Sequence, residues 1–368
     1  MSRSDPKSEL DKLALAPRRW MYVLSLILKL HNWEHSAKDK GVSHRTRQSR
    51  SRLCVWVFRF LRDNPVKRYV LDPRTFSGRH AELVLTHWRD EARAGHLAPA
   101  TLPTYYSHLR TFTRWIDKPD LLKPMSEYFG DPALYARSGI TSRDRSWRAV
   151  GLNVEQVIGD VERYDVHAAA SLWLMRAFGL RFKESRMLHP HTDVVTSQQA
   201  SARPDAGVCE GTLADLYLDT HRGTKGGRRR FIPVDSELRR RALDYARSVV
   251  KNPSSSVSNP TLTLQQAMRH QRYVMERFGL TKRDLGVVPH GLRHEFAIAE
   301  YGARTGEEPP VAGGSTVERD CDENARVAVS ALLGHGRIQI TGAYLGSRAS
   351  VVAASSRPVP QVEPQDRD

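Results

Sequence analysis

The chain has 368 residues, with 57 basic side chains against 41 acidic ones, a formal net charge of +16 and an isoelectric point near 10.0. An apolar share of 40% beside 27% charged residues excludes a disordered chain, and the length suits two or three domains better than one core. The surplus of base points to a polyanionic partner, nucleic acid ahead of an acidic membrane surface.

Residues 1–40 read as an arm holding one apolar helix. Its run "WMYVLSLILKL", 20–30, is too short to cross a bilayer and is interrupted by Lys29. No small-residue cleavage site follows it, so it does not read as a signal peptide. It is expected to be a buried or partner-facing helix, with no membrane partner. Cys54, Cys209 and Cys321 lie far apart and are odd in number, which excludes a disulfide framework and fits a reducing cytoplasm.

Residues 41–145 are expected to form a small all-helical DNA-binding domain. It opens with Arg45, Arg47, Arg50 and Arg52, then turns apolar, which reads as a helix with a basic, DNA-facing first half. A merely solvated face is the alternative. A second helical stretch, 76–95, stops at Gly95. A third, 98–119, carries Leu102, Tyr105, Tyr106, Leu109, Phe112 and Trp115 at helical spacing. Those aromatics read as core rather than base-stacking. Arg110 and Arg114 share a face at i,i+4 and join the DNA-contact set.

Turn formers and charge over 138–153 mark a linker, and a second domain is expected over 150–346. "NVEQVIGDVERYD" and "VHAAASLWLMRAFGLR" read as two helices. "HPH" at 189–191 lacks a third metal ligand and reads as a loop. From 211 to 235 the period changes: Leu213, Leu216 and Leu218 sit in one β-like run, Phe231 to Val234 in another, with a glycine-rich tip between. Helices are expected over 236–250, 262–278 and 291–301. A long polar loop over 302–324 follows, carrying six acids between Glu307 and Glu323. The last element spans 325–346, and 347–368 reads as a mobile tail. The fold class is therefore mainly α with a small antiparallel β-sheet.

His-x-x-Arg occurs twice, at His44/Arg47 and His290/Arg293. With 15 His and 45 Arg, chance alone gives roughly 1.8 such matches, so the pattern means nothing by itself. His44/Arg47 has no second catalytic residue near it. His290/Arg293 belongs to an ordered set: "AFGLRFKES" with Arg181, "GTKGGRRRFIPV" with Lys225 at a hairpin tip, "HGLRH" with His290 and Arg293, and "LLGHGRIQITGAYLG" with His335 and Tyr344 nine residues on. This set resembles the tyrosine recombinase (phage integrase) family, in the branch carried on bacterial mobile elements, strongly over 175–346.

The resemblance implies a helical core-binding domain followed by an α+β catalytic domain. It also implies a site-specific recombinase that cuts and rejoins DNA through a 3′-phosphotyrosyl intermediate, without metal, ATP or other cofactor. Tyr344 would be the nucleophile. Arg181 and Arg293 would hold the non-bridging oxygens, for which planar guanidinium forks suit better than ammonium groups. Lys225 would protonate the departing 5′-oxygen. His290 would help deprotonate the tyrosine, and His335 would add a phosphate hydrogen bond. Arg228, Arg229 and Arg230 beside the hairpin tip would contact DNA, and Glu184 would buttress Arg181.

The implied partners are double-stranded DNA, three further copies of the chain in a tetramer on paired sites, and an accessory bending or directionality factor, in the bacterial cytoplasm at the nucleoid. A DNA-binding protein with a dead site, or a topoisomerase- or resolvase-like strand transferase, is the alternative. Two departures stand out: Gly291 where the family usually has an acid, and Glu295 where it has a small hydroxyl residue. The Arg293-to-His335 gap of 42 residues is also long, and the acidic loop accounts for it.

Overall fold

The structure, a computed structural model, describes residues 5–35, 40–64, 68–69, 71–137, 139–203, 214–315 and 317–347. The chain divides into two compact units, Met1–Ser138 and Gly139–Asp368. Cys209, Leu213 and the tail from residue 348 lie outside the described residues.

Unit 1 is all-helical: α1 (Pro6–Lys12), α2 (Trp20–His31), α3 (His44–Asp63), α4 (Gly78–Arg93), α5 (Leu102–Trp115) and α6 (Met125–Phe129). Asp5 caps α1 by accepting from the Lys7 and Ser8 amides, and Ser43 caps α3 by accepting from Thr46. The residues expected as a separate arm supply part of the core. Val23, Leu24 and Ile27 of α2 pack with Leu53, Val57 and Phe58 of α3, Val84, Leu85 and Trp88 of α4, and Leu109 and Phe112 of α5. Phe58 meets Phe76 and Phe112 edge-on, at centroid distances of 6.0 and 5.4 Å. No helix among the described residues is long and apolar enough to cross a membrane.

Unit 2 is built around α8 (Val166–Phe178), which follows α7 (Val154–Tyr164). Its alanines, Leu172, Leu174, Met175 and Phe178 are buried all round, as a central helix requires. One side of α8, with Ala170, Leu174 and Phe178, packs against Leu218, Ile232, Leu243, Phe296 and Leu332. The other, with Ala168, Leu172 and Met175, meets Trp147, Ile158, Val274 and Leu292.

Next come α9 (Phe182–Met187), β1 (Val194–Thr196), α10 (Ser197–Ser201), β2 (Leu216–Thr220) and β3 (Arg230–Pro233). The three strands form an antiparallel sheet in chain order, with Leu218 opposite both Val194 and Ile232. β1 was not foreseen, because three residues are too few to show a period. Leu218 and Ile232 face the α8 core, whereas Tyr217 and Phe231 face Ala200, so the sheet is covered on both sides.

The remaining helices are α11 (Glu237–Val249), α12 (Leu264–Arg277), α13 (His290–Thr305), α14 (Arg319–Leu332) and the short α15 (Gly342–Leu345). The loop expected over 302–324 is shorter than the sequence suggested, because α13 runs on to Thr305 and α14 begins at Arg319. Three of its six acids, Asp320, Asp322 and Glu323, sit in α14, where acids near the N-terminus favour the helix dipole. Asp322 is structural: buried, it accepts from Tyr301 Oη at 2.7 Å and Arg326 Nε at 2.9 Å.

Candidate active site

The first arginine is aimed by a glycine. Gly179 ends α8 at φ +56°, and a Cβ there would lie 2.4 Å from the Phe296 ring. The chain then turns into α9, with Arg181 as its N-cap residue. Glu184, one turn on, accepts from the Arg181 amide at 2.8 Å and from Arg181 Nη1 at 2.6 Å. The same buried carboxylate accepts from Arg230 Nη2 at 2.7 Å and lies 4.0 Å from Arg293 Nη1. Burial alone would push Glu184 up. The Arg230 and Arg181 charges and hydrogen bonds outweigh it and hold its pKa down at about 2.

Arg293 is fully buried in α13. Its guanidinium donates to the carbonyls of Gly179 and Leu333 and reaches His335 Nε2 at 3.3 Å. Its Nε lies 3.3 Å from Tyr344 Oη, and His290 Nε2 lies 3.3 Å from the same oxygen. Tyr344, on α15, is itself buried. His294 lies beside the tyrosine ring, centroids 4.5 Å apart, and His335 lies 5.2 Å away. Arg181, His290, Arg293, His335 and Tyr344 therefore meet in one cluster, though they come from three separate stretches of chain.

The cluster is cationic, and its imidazoles respond. His290, although open to solvent at its edge, is pushed down to about 4 by desolvation and by Arg293, Arg181 and Arg145. Desolvation and Arg293, Arg181 and Arg230 lower His335 to about 3. His294 falls to about 3 from desolvation, His290 and Arg145. All three are neutral at pH 7, so each can accept a proton or a hydrogen bond. Lys225 is exposed between β2 and β3, and among the described residues it has no hydrogen bond or ion pair to this cluster. Among the described residues no group of three or more His, Cys, Asp or Glu is placed to hold a metal ion. "HPH" is a hydrogen-bonded turn, with His191 Nε2 2.8 Å from the Val250 carbonyl.

Two arginines expected on DNA are spent inside the protein. Arg230 is buried, held by Glu184 and by the Leu332 carbonyl at 2.8 Å, so it serves as a brace for the site. Arg50 is buried in unit 1 and donates to the Glu34 carbonyl at 2.9 Å. Neither can face a phosphate without a buried donor set being broken. Arg229 is half-buried and paired with Asp219 at 2.5 Å. Arg45, Arg47, Arg52, Arg110, Arg114 and Arg228 are exposed. Arg228 lies over the loop bearing His335, where a Cβ on Gly336 would stand 1.9 Å from its Nη1.

Residues 138–299 match the family model described as "Integrase". Over those residues the chain is similar to the integrase family. Its fold is similar to a lambda integrase tetramer bound to a Holliday junction, at 12% identity and a TM-score of 0.53, over 99% of this chain and 85% of that one. It is similar also to lambda integrase residues 75–356 in a dimer on a COC′ core site, at 14% identity and a TM-score of 0.52, over 95% of this chain and 99% of that one. No curated protein sequence matches it.

The two departures noted in the sequence, Gly291 and Glu295, have structural counterparts. At Gly291 a Cβ would fall 2.6 Å from the Arg145 carbonyl oxygen and 2.7 Å from Trp147 Cδ1. Glu295 is buried 3.4 Å from Arg176 Nε; burial raises its pKa against the lowering effect of the Arg176 and Arg148 charges. The tryptophan, Arg145 and the Glu184–Arg230 pair escaped sequence reading because nothing local marks them. A lone arginine two residues before a tryptophan has no period and no motif.

Proposed function

We propose that this protein is an integrase, a site-specific DNA recombinase in which Tyr344 forms a 3′-phosphotyrosyl link to DNA. The observation that carries this is the placement of Tyr344 Oη at 3.3 Å from both Arg293 Nε and His290 Nε2. Arg293 Nε–H donates toward the phenol oxygen, which favours phenolate character. Neutral His290 offers a lone pair to the phenol proton. As the Tyr344 O–P bond forms, that proton passes to His290 and the P–O5′ bond breaks. The ammonium of Lys225, carried in on the hairpin tip, protonates the leaving 5′-oxygen. Arg181, Arg293 and His335 receive the charge on the non-bridging oxygens, where one preorganised donor is typically worth about 2.7–4 kcal/mol. Phosphate arriving among these cations would raise the His290 and His335 pKa values, making His290 a stronger base when it is needed.

The lambda integrase structures hold dimers and a tetramer on DNA. By the same assembly, four copies of this chain would act on two duplexes, in the cytoplasm at the nucleoid. The test is a pool of nicked duplexes of random sequence incubated with the full chain. Wild type is expected to give a covalent adduct that survives denaturation, and Tyr344→Phe none. Sequencing the trapped DNA then yields the site. An adduct retained in the variant would overturn the nucleophile.

A further inference from the structure

Residues 140–148 carry little regular structure yet are tied to both catalytic helices. Thr141 N donates to the Gly342 carbonyl at 2.9 Å, at the first residue of α15. The Ile140 side chain fills the space beside the same glycine. Further along, Trp147 Nε1 donates to the Val288 carbonyl at 2.9 Å, and the Trp147 ring and the Arg145 carbonyl both press on Gly291 at the start of α13. Between these ties, Asp144 accepts from the Ser146 amide at 2.7 Å and from Ser146 Oγ at 3.0 Å, closing a tight turn around Arg145. The segment is a strap from the helix of Tyr344 to the helix of His290 and Arg293.

The Arg145 side chain on this strap is exposed and has no hydrogen bond or ion pair among the described residues. The backbone of Arg145 stands against the start of α13, where a Cβ on Gly291, the residue after His290, would lie 2.6 Å from the Arg145 carbonyl oxygen, and the Arg145 charge helps to lower the pKa of both His290 and His294. Nearby, Arg181, Arg230 and Arg293 already share the single carboxylate of Glu184. A fourth cation held beside them raises the energy of the empty site, and an arriving anion relieves it. Arg143, two residues earlier, is also exposed.

We propose that Arg145 is a further phosphate-binding residue of this site, a third guanidinium on the phosphodiester that Arg181 and Arg293 hold. This deepens the strand-transfer reading and rests on it for the identity of the phosphodiester. The strap fixes its reach: the backbone of Arg145 cannot withdraw while Trp147 is bonded to Val288 and Thr141 to Gly342.

Inorganic phosphate is the first probe, titrated into the full chain while the His290 ring is followed by NMR. Arg145→Ala is expected to weaken phosphate about tenfold, Arg145→Lys to fall between, and Arg143→Ala to match wild type. The His290 pKa in the free Arg145→Ala protein should also rise, since a repelling cation is gone. Because Arg145 is exposed, the variants should melt with wild type. Phosphate binding by Arg145→Ala within twofold of wild type would overturn the proposal.

The second probe is the nicked duplex pool. At saturating DNA, Arg145→Ala should form adduct about tenfold or more slowly than wild type, and an unchanged rate again overturns the proposal. If phosphate binding depends on Arg145 while wild type forms no adduct, the strand-transfer reading fails and the Arg145 site stands.

Discussion

The indole of Trp147 occupies the place that a side chain at Gly291 would need, 2.7 Å from the position of its Cβ. The glycine opening α13 is thus set by packing, since the Trp147 N–H is committed to the Val288 carbonyl beside it. Gly291→Ala should destabilise the protein by about 1–3 kcal/mol, the usual cost of overpacking, although alanine ordinarily favours a helix. Denaturant unfolding measures it. In a Trp147→Ala background the same change should cost less, because only the Arg145 carbonyl still obstructs it. Equal costs in the two backgrounds would show that Trp147 does not fill that space.

Among the described residues, Glu184 is the only carboxylate touching Arg181, Arg230 and Arg293 together. Glu184→Gln leaves those cations uncompensated in a buried place and should cost about 3–5 kcal/mol. Adding Arg230→Met removes one of them and should restore part of the stability. Adduct formation should stay slow in the double variant, because Arg181 has still lost its anchor. Recovery of both stability and rate would show that Glu184 serves only to neutralise Arg230.

What the sequence revealed here followed from how local each signal is. The helices of both units show in their apolar spacing, and Arg181, His290, Arg293, His335 and Tyr344 show through their order along the chain. Glu184 was readable as a brace for Arg181, one turn away on the same helix. Its second partner, Arg230, was not, because 46 residues separate the pair and an arginine in a basic run looks like a DNA contact. Arg50 misled for the same reason: its charge matches its neighbours on α3, and only the fold shows that it points inward to Glu34. The family resemblance supplied roles, while the hydrogen bonds of the fold show Arg50 and Arg230 committed to partners away from the Tyr344 oxygen.

His294 gives the site a pH-dependent stability. Its folded-state pKa of about 3 lies below the usual 6.5, so the unfolded chain binds a proton across that interval and the folded one does not. The stability is fully present above about pH 6.5 and is lost as the pH falls toward 3, at roughly 1.4 kcal/mol per unit. Glu184, depressed to about 2, loses its share only between about 4.5 and 2. Melting followed from pH 7 to 5 should therefore report His294 together with the likewise depressed His290 and His335, and His294→Phe should make the decline shallower. An equal slope in that variant would assign the titration elsewhere.

The split between exposed and buried arginines predicts different salt responses in unit 1. Each phosphate contact on duplex DNA contributes about 0.9 to the slope of log affinity against log salt. Arg45 and Arg52 are exposed on α3 and line one groove with Trp56 and His87. Arg45→Ala and Arg52→Ala should each reduce the slope by about one, with little change in melting temperature. Arg50→Ala should do the reverse, because it deletes a buried donor to Glu34 and a ring contact to Trp115 but no phosphate contact. A duplex of arbitrary sequence suffices, since the slope reports charge and not base readout. If Arg50→Ala lowers the slope as much as Arg45→Ala does, the basic half of α3 binds DNA in a conformation other than this one, with Arg50 turned outward.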